Sequence, residues 1–375
     1  MGKKDGDGMR KKWTALLLAL AMLMTACGGI KRTPERYEIT FYDTFDTLVT
    51  AIVYADSKAE GDKYTELLHK RFQALHRIYD GFNRYENVSN LKALNDAAGK
   101  GKFSVEPELM DLLSLSIERY KEYGETNIAF GAVTDIWKTY RDRYTTEKGH
   151  DHDREKNAEL PPMDALRQAA AHTNIDDIVL YPEENAVEIK DPDLSIDLGA
   201  VAKGYATEVA CRELEEAGCK AALVSAGGNV KLIGSAPEPD RTAFGIGLQD
   251  PDAITEKRPT AQNMKDVVYA NNTSVVTSGD YQRYYTVDGK NYHHLIDPDT
   301  LMPADHFRAV SVISEDSGLA DFLSTTVFCM PYEEGRKLVD SLDGVEAYWI
   351  LKDGSIEFTE SLRDKLKSEG ASNAK

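Results

Sequence analysis

Asp321 and Thr325 stand four residues apart in Gly318–Phe328, an apolar run that reads as a helix. At that spacing the carboxylate and the hydroxyl share one face. Both are hard oxygen donors of the kind Mg²⁺ takes, with substrate phosphate or water completing its octahedron. The plainer alternative is an aspartate that neutralises the first turn of a helix. A second chemical segment is Ser195–Tyr205, in which an apolar stretch, read as a strand, delivers Asp197 to a glycine turn. A helix is expected from Val201 to Ala217, closed by Gly218. Backbone amides at such a helix start can hold phosphate oxygens, and Lys203 adds a point charge. A packed corner with a solvated lysine would read the same way.

Two further segments carry polar chemistry. Ala221–Asn229 is a buried-strand run that ends in Gly227 and Gly228, where a backbone or a ligand can approach closely. It is not a dinucleotide-binding fingerprint, because a strand at Val230–Ile233, not a helix, follows the glycines. Thr277–Tyr281 leads into Tyr284–Val287 and Asn291–His294, which flank Asp288-Gly289, a tight-hairpin signal. The hairpin ends in His293-His294-Leu295-Ile296-Asp297-Pro298. Neighbouring strand residues face opposite sides, so one histidine can face a site while the other packs. Asp297-Pro298 also suits a simple turn.

The elements that must position these groups are legible in outline. Residues 30–36 read as a polar tether and Tyr37–Tyr54 as strand-like, rich in Thr, Val, Phe and Tyr. Tyr64, Leu67, Leu68, Phe72, Leu75, Ile78 and Tyr79 recur at helical spacing. Another helix is expected from Pro107 through Tyr120, since proline suits a first turn. The charged stretch 145–161 reads as an exposed loop. Strands and helices alternate in the C-terminal half, largely in antiparallel style. The expectation is one α+β catalytic domain over 37–360, with mixed or antiparallel sheets and flanking helices, followed by a polar tail at 361–375.

The N-terminus differs from the rest. Arg10, Lys11 and Lys12 precede the apolar run Trp13–Met24, which ends in Thr25, Ala26, Cys27, Gly28 and Gly29. This is a secretory signal pattern, and the run is shorter than the ~20 residues of a membrane-spanning helix. Met24-Thr25-Ala26-Cys27 resembles the bacterial lipoprotein signal, which makes 1–26 a signal peptide, Cys27 the lipidated residue and 27–36 a lipidated tether. The chain is then expected on the extracytoplasmic face of the cell membrane. Met9 is a second candidate start. Three cysteines remain after Cys27, namely Cys211, Cys219 and Cys329, so no fully paired disulfide framework is implied. A formal charge of −18 over 375 residues argues against nucleic acid as a partner, because phosphate binding needs a basic surface.

Taken in order, these segments resemble the ApbE-type FAD:protein FMN transferases. The family's Asp-Leu-Gly and Gly-Tyr-Ala pattern matches Asp197–Ala206, and its Val-Ser-x-Gly-Gly strand matches Val224–Gly228. Thr277–Tyr281, His294–Pro298 and Ala320–Thr325 match three more motifs. By position, the resemblance implies Mg²⁺ held by the Ala200 carbonyl, Asp321 and Thr325. Ser324 stands where some relatives have an additional aspartate ligand. Contacts to FAD fall on Phe45, Tyr85, Glu125, Thr126, Asn127, Asp197, Lys203 and Ile296. Phe45 replaces a frequent methionine and Asn127 a frequent aspartate, each keeping the type of contact. His294 is the candidate general base or acceptor-orienting group, with Asp297 or Asp280 sharing the role.

The activity implied is transfer of the FMN half of FAD to a threonine of an extracytoplasmic acceptor protein, with release of AMP. A Mg²⁺-dependent FAD pyrophosphatase, using water instead, is the near alternative. A solute-binding lipoprotein serving a transporter is the alternative from another class, and it would leave the Asp321/Thr325 pair without a purpose. The short Ser/Thr-Gly-Ala-Thr type of segment carried by the family's acceptors is absent from this chain.

Overall fold

The computed structural model describes residues 33–146, 149–150, 156–253 and 263–374. The expected signal peptide, Cys27 and most of the tether lie outside these residues, as does part of the loop expected over 145–161. No helix among the described residues is long and apolar enough to cross a membrane.

Eight strands form the central sheet: Glu35–Thr44, Thr47–Ala55, Ala222–Ala226, Asn229–Ile233, Ser274–Gly279, Phe307–Ser314, Glu346–Leu351 and Ile356–Phe358. They lie side by side in chain order, each antiparallel to its neighbour. Both faces are covered. Val310, Val312, Ala347 and Trp349 face the helical side, while Ala309, Ile313, Tyr348 and Ile350 pack toward the Phe244–Gln249 and Met264–Ala270 ribbon. Two buried faces explain why Phe307–Ser314 and Glu346–Leu351 read as apolar runs without clean alternation.

Three helices cover the first face. Lys58–Tyr79 is capped by Ser57, whose side chain accepts from the Glu60 amide, and it buries Tyr64, Leu68, Phe72, Leu75 and Tyr79. Ala202–Glu216 packs between it and Ser317–Cys329. The latter starts at Asp316, which accepts from the amides of Gly318 and Leu319, and it is buried nearly all round. A helix apolar on every side belongs inside a domain. Pro107–Tyr123 begins on its proline and stops at Gly124, where φ is +77°.

The α+β expectation holds, with one refinement and three corrections. The strand-like stretch Tyr37–Tyr54 is divided into two strands: Phe45 and Asp46 turn the chain with φ of +55° and +47°, and no Gly or Asn marks the turn. The Glu35–Thr44 strand takes in the end of the expected tether. Asp197 is not delivered by a sheet strand; its segment is extended and bonds instead to the 128–131 turn, through Asp197 N–Ile128 O at 2.8 Å and Gly131 N–Ser195 O at 3.0 Å. Residues 361–374 are not a free polar tail. Leu362 and Leu366 are fully buried and Ser368 bonds Asp266, so the segment closes the second face of the sheet.

Candidate functional site

The Ala202–Glu216 and Ser317–Cys329 helices meet at Gly204. A Cβ there would lie 2.3 Å from Asp321 Cβ and 2.5 Å from the Ser317 carbonyl oxygen. Glycine is therefore what lets the two backbones touch, and the Gly204 amide donates to Asp321 Oδ2 at 2.7 Å. Lys203 Nζ stands 3.8 Å from the same oxygen and 3.3 Å from the Gly199 carbonyl. Asp321 is 4 % exposed. Burial pushes its carboxyl above the ordinary range, against Lys203 and the Gly204 amide, which favour the charged form.

Around this carboxylate the oxygens are of one kind. Thr325 and Ser324 follow on the same helix, and Ser278 reaches both from the neighbouring strand, at 3.3 Å and 2.9 Å between hydroxyl oxygens. Ala200 sits in the turn that leads into the Lys203 helix. A buried carboxylate and neighbouring hydroxyls are a donor set that fits a hard divalent cation, whose charge would offset the cost of burying Asp321.

The remaining expected residues lie on several elements. Asp197 accepts from the Gly199 amide and from Thr134 Oγ1, both at 2.7 Å. Phe45 and Tyr85 are joined through His76, whose Nδ1 accepts from the Phe45 amide at 3.2 Å while Nε2 lies 3.4 Å from the Tyr85 hydroxyl. Tyr85 also donates to Asp80 Oδ2 at 2.7 Å. Glu125 adopts φ of +54° just after Gly124. Its carboxyl is raised by burial and by the nearby Asp299 and Asp297. Thr126 is buried and shares a hydrogen bond with Thr326 at 2.8 Å. Asn127 caps the following turn and donates to the Thr173 carbonyl, so its amide serves the loop. Ile296 packs with Trp137 and Tyr285 beneath the hairpin.

The two histidines differ in surroundings: the strand ends at His293, and His294 lies in the bend beyond it. His293 is buried; its Nε2 donates to the Ala304 carbonyl at 2.9 Å and its Nδ1 accepts from the Leu295 amide. Burial lowers it to about 4. His294 is lowered well below its ordinary value by burial and then by Arg283, His293, Arg141 and Lys203, and its Nδ1 is buried with no partner. It is therefore a neutral imidazole among cations. Arg283 in turn donates to the Asp46 carbonyl at 3.1 Å, tying the hairpin to the Phe45 turn.

The structure does not gather all three candidates for the acid–base role. Asp280 bonds Arg308 at 2.8 Å and lies 3.6 Å from Lys352, lining a cavity of about 420 Å³ together with His293. That places it with the packed histidine rather than with His294. Asp297 Oδ1 accepts from the amides of Asp299 and Thr300, the work of a turn residue. His76, Gly204, Ser278 and Arg283 are the site-building residues that sequence reasoning passed over. Gly204 and Ser278 sit inside motifs already recognised; nothing in the sequence around His76 singles it out.

Comparison with known proteins defines the class. The fold matches the crystal structure of the ApbE protein of Thermotoga maritima with a TM-score of 0.74 and 25% identity, covering 88% of this chain and 99% of that one. The apo flavinyl transferase ApbE of Pseudomonas stutzeri matches with a TM-score of 0.69 and 19% identity, over 88% and 97%. Among curated relatives, the FAD:protein FMN transferase of Treponema pallidum is 28% identical over 367 residues, 94% of each chain. That of Escherichia coli K12 is 27% identical over 346 residues, 90% of this chain and 92% of its own.

The model of the ApbE family matches residues 37–349. The chain belongs to the ApbE family, and the solute-binding reading falls away.

Proposed function

We propose that this chain transfers the FMN half of FAD to a threonine hydroxyl of a target protein and releases AMP, with Mg²⁺ held by Asp321, Thr325 and the Ala200 carbonyl. The observation that carries this reading is the buried Asp321 carboxylate, set between the Gly204 amide and Lys203 with a hydroxyl one turn along its helix. Bound Mg²⁺ supplies charge neutralisation of the diphosphate oxygens. The acceptor oxygen attacks the FMN-side phosphorus, the bond to the AMP phosphate breaks, and a phosphoester forms. Lys203 adds fixed positive charge beside the diphosphate, and neutral His294 takes the hydroxyl proton. Positioning and charge do most of the work in reactions of this kind.

The test is to incubate the protein with FAD, Mg²⁺ and an acceptor bearing a candidate threonine, and to follow acceptor mass. Covalent FMN on the acceptor is expected, lost in Asp321→Ala and strongly reduced in His294→Ala with FAD binding kept. Free FMN with no modified acceptor would favour hydrolysis instead, and full transfer by Asp321→Ala would sink the metal assignment. We also propose a lipid anchor at Cys27 on the extracytoplasmic face, supported by the basic and apolar run before it. Release of a Cys27→Ser variant from the membrane fraction is the expected result.

A further inference from the structure

The hydroxyls beside Asp321 are linked in one direction. Ser324 Oγ lies 3.0 Å from the Asp321 carbonyl oxygen, which can only accept, so Ser324 commits its single proton there. Ser324 must then accept from Ser278, 2.9 Å away. Ser278, its own proton committed, accepts in turn from Thr325 at 3.3 Å. Thr325 ends the chain with its proton turned toward Ser278 and its remaining lone pairs free. Its neighbour Thr326 behaves differently, donating back to the Phe322 carbonyl at 3.0 Å in the usual manner of a helical hydroxyl.

Strand and helix geometry make this arrangement. Ser278 is next to Thr277 on its strand, and Thr277 bonds Ser311 across the sheet at 2.7 Å. Period-two alternation therefore sends Ser278 to the helical side. Ser324 is fully buried, with its proton used by its own helix and a lone pair used by Ser278. Its proton and one lone pair are thus already engaged before any cation arrives.

We infer that Ser278 and Ser324 are positioning residues that orient the Thr325 hydroxyl as a lone-pair donor to the cation. This rests on the metal assignment proposed above. Groups that orient a ligand in this way typically change metal affinity by roughly 10- to 100-fold when removed.

The experiment uses the full chain without FAD and Mn²⁺ as probe, since carboxylate and hydroxyl ligands suit both ions. Free Mn²⁺ is followed by electron paramagnetic resonance. Ser278→Ala and Ser324→Ala are each expected to weaken Mn²⁺ about tenfold, with the metal-free melting temperature near that of wild type. Adding Ser278→Ala to Thr325→Val should weaken binding no further, because Ser278 acts through Thr325. Should Ser278→Ala fail to fold, Ser324→Ala on the same Thr325→Val background tests the other link. Wild-type affinity in both serine variants, or a loss that adds to that of Thr325→Val, overturns the relay. Asp321→Asn separates the two ideas: binding lost there but intact in the serine variants refutes the relay alone, whereas binding intact in Asp321→Asn refutes the metal site and the relay together.

Discussion

Gly204→Ala puts the helix crossing under direct test. The added Cβ would meet Asp321 Cβ at 2.3 Å, the Ser317 carbonyl oxygen at 2.5 Å and Asp321 Cγ at 3.0 Å. Non-bonded carbons rest roughly 3.5–4.0 Å apart, so the two helices must separate by about 1 Å. The first two contacts are a Cβ and a backbone oxygen, which cannot swing aside as a side-chain tip can. Alanine recovers about 1 kcal/mol of helix propensity over glycine, while overpacking costs ~1–3 kcal/mol and occasionally more. Two contacts this short place the cost at the upper end, for a net loss of about 2 kcal/mol. The same separation lengthens the 2.7 Å bond from the Gly204 amide to Asp321, so Mn²⁺ affinity should fall too. Thermal unfolding should show a midpoint lowered by roughly 3 °C, since a domain of this size has a large unfolding entropy. Gly335→Ala is the control, since its Cβ would first meet Val327 Cβ at 3.3 Å, and it should stay within about 1 kcal/mol of wild type. A Gly204→Ala protein as stable as Gly335→Ala, binding Mn²⁺ as wild type does, would refute the close-crossing argument.

Asn90 is fully buried; its Nδ2 donates to the carbonyls of Arg77, Asp80 and Asn83, and its Oδ1 accepts from the Ala93 amide. Asn90→Ala strands several of these groups and should cost about 3 kcal/mol in denaturant unfolding; a loss below about 1 kcal/mol would contradict it. His293 makes stability pH-dependent, because its value falls from 6.5 to about 4 on folding. In that window the unfolded chain binds more protons, so stability drops as pH falls, by about 3 kcal/mol in all. His294 shifts in the same direction, so the measurement compares acid unfolding of wild type with that of His293→Gln, which should lack the His293 share; identical slopes would be the contrary result.

Periodicity exposes elements whose burial is one-sided and misses those whose signal is conformational. The Lys58–Tyr79 and Pro107–Tyr123 helices show apolar stripes and were expected from them. The Asp288-Gly289 turn was expected because both residues sit at positive φ, +50° and +79°, in the sequence that favours it. The Phe45-Asp46 turn takes the same backbone region with a bulky aromatic first and no glycine, so it left no mark. In the candidate site, Asp321 and Thr325 were legible as a pair because helical spacing puts them on one face. The partners that orient them were not, since Ser278 arrives from another strand and Gly204 matters only when a second helix crosses it. Asp280 was drawn into the site by its motif, whereas the fold spends it on Arg308 and Lys352.

The low proton affinity of His294 is compatible with the role of base proposed for it. A base must first be unprotonated, and burial together with Arg283, His293, Arg141 and Lys203 ensures that. The guanidinium and ammonium groups in this set are also those that would face an anionic diphosphate. Once that anion is seated, its charge offsets theirs, and a proton on the imidazole becomes less unfavourable. Proton uptake would then be favoured when substrate is present and disfavoured when it is absent. Asp321 obeys the opposite sign: a carboxylate raised by burial is stabilised in its charged form by an arriving cation. In the proposed reaction, burial opposes the charged forms of both the imidazole and the carboxylate, and the opposite charges of substrate and metal would relieve each.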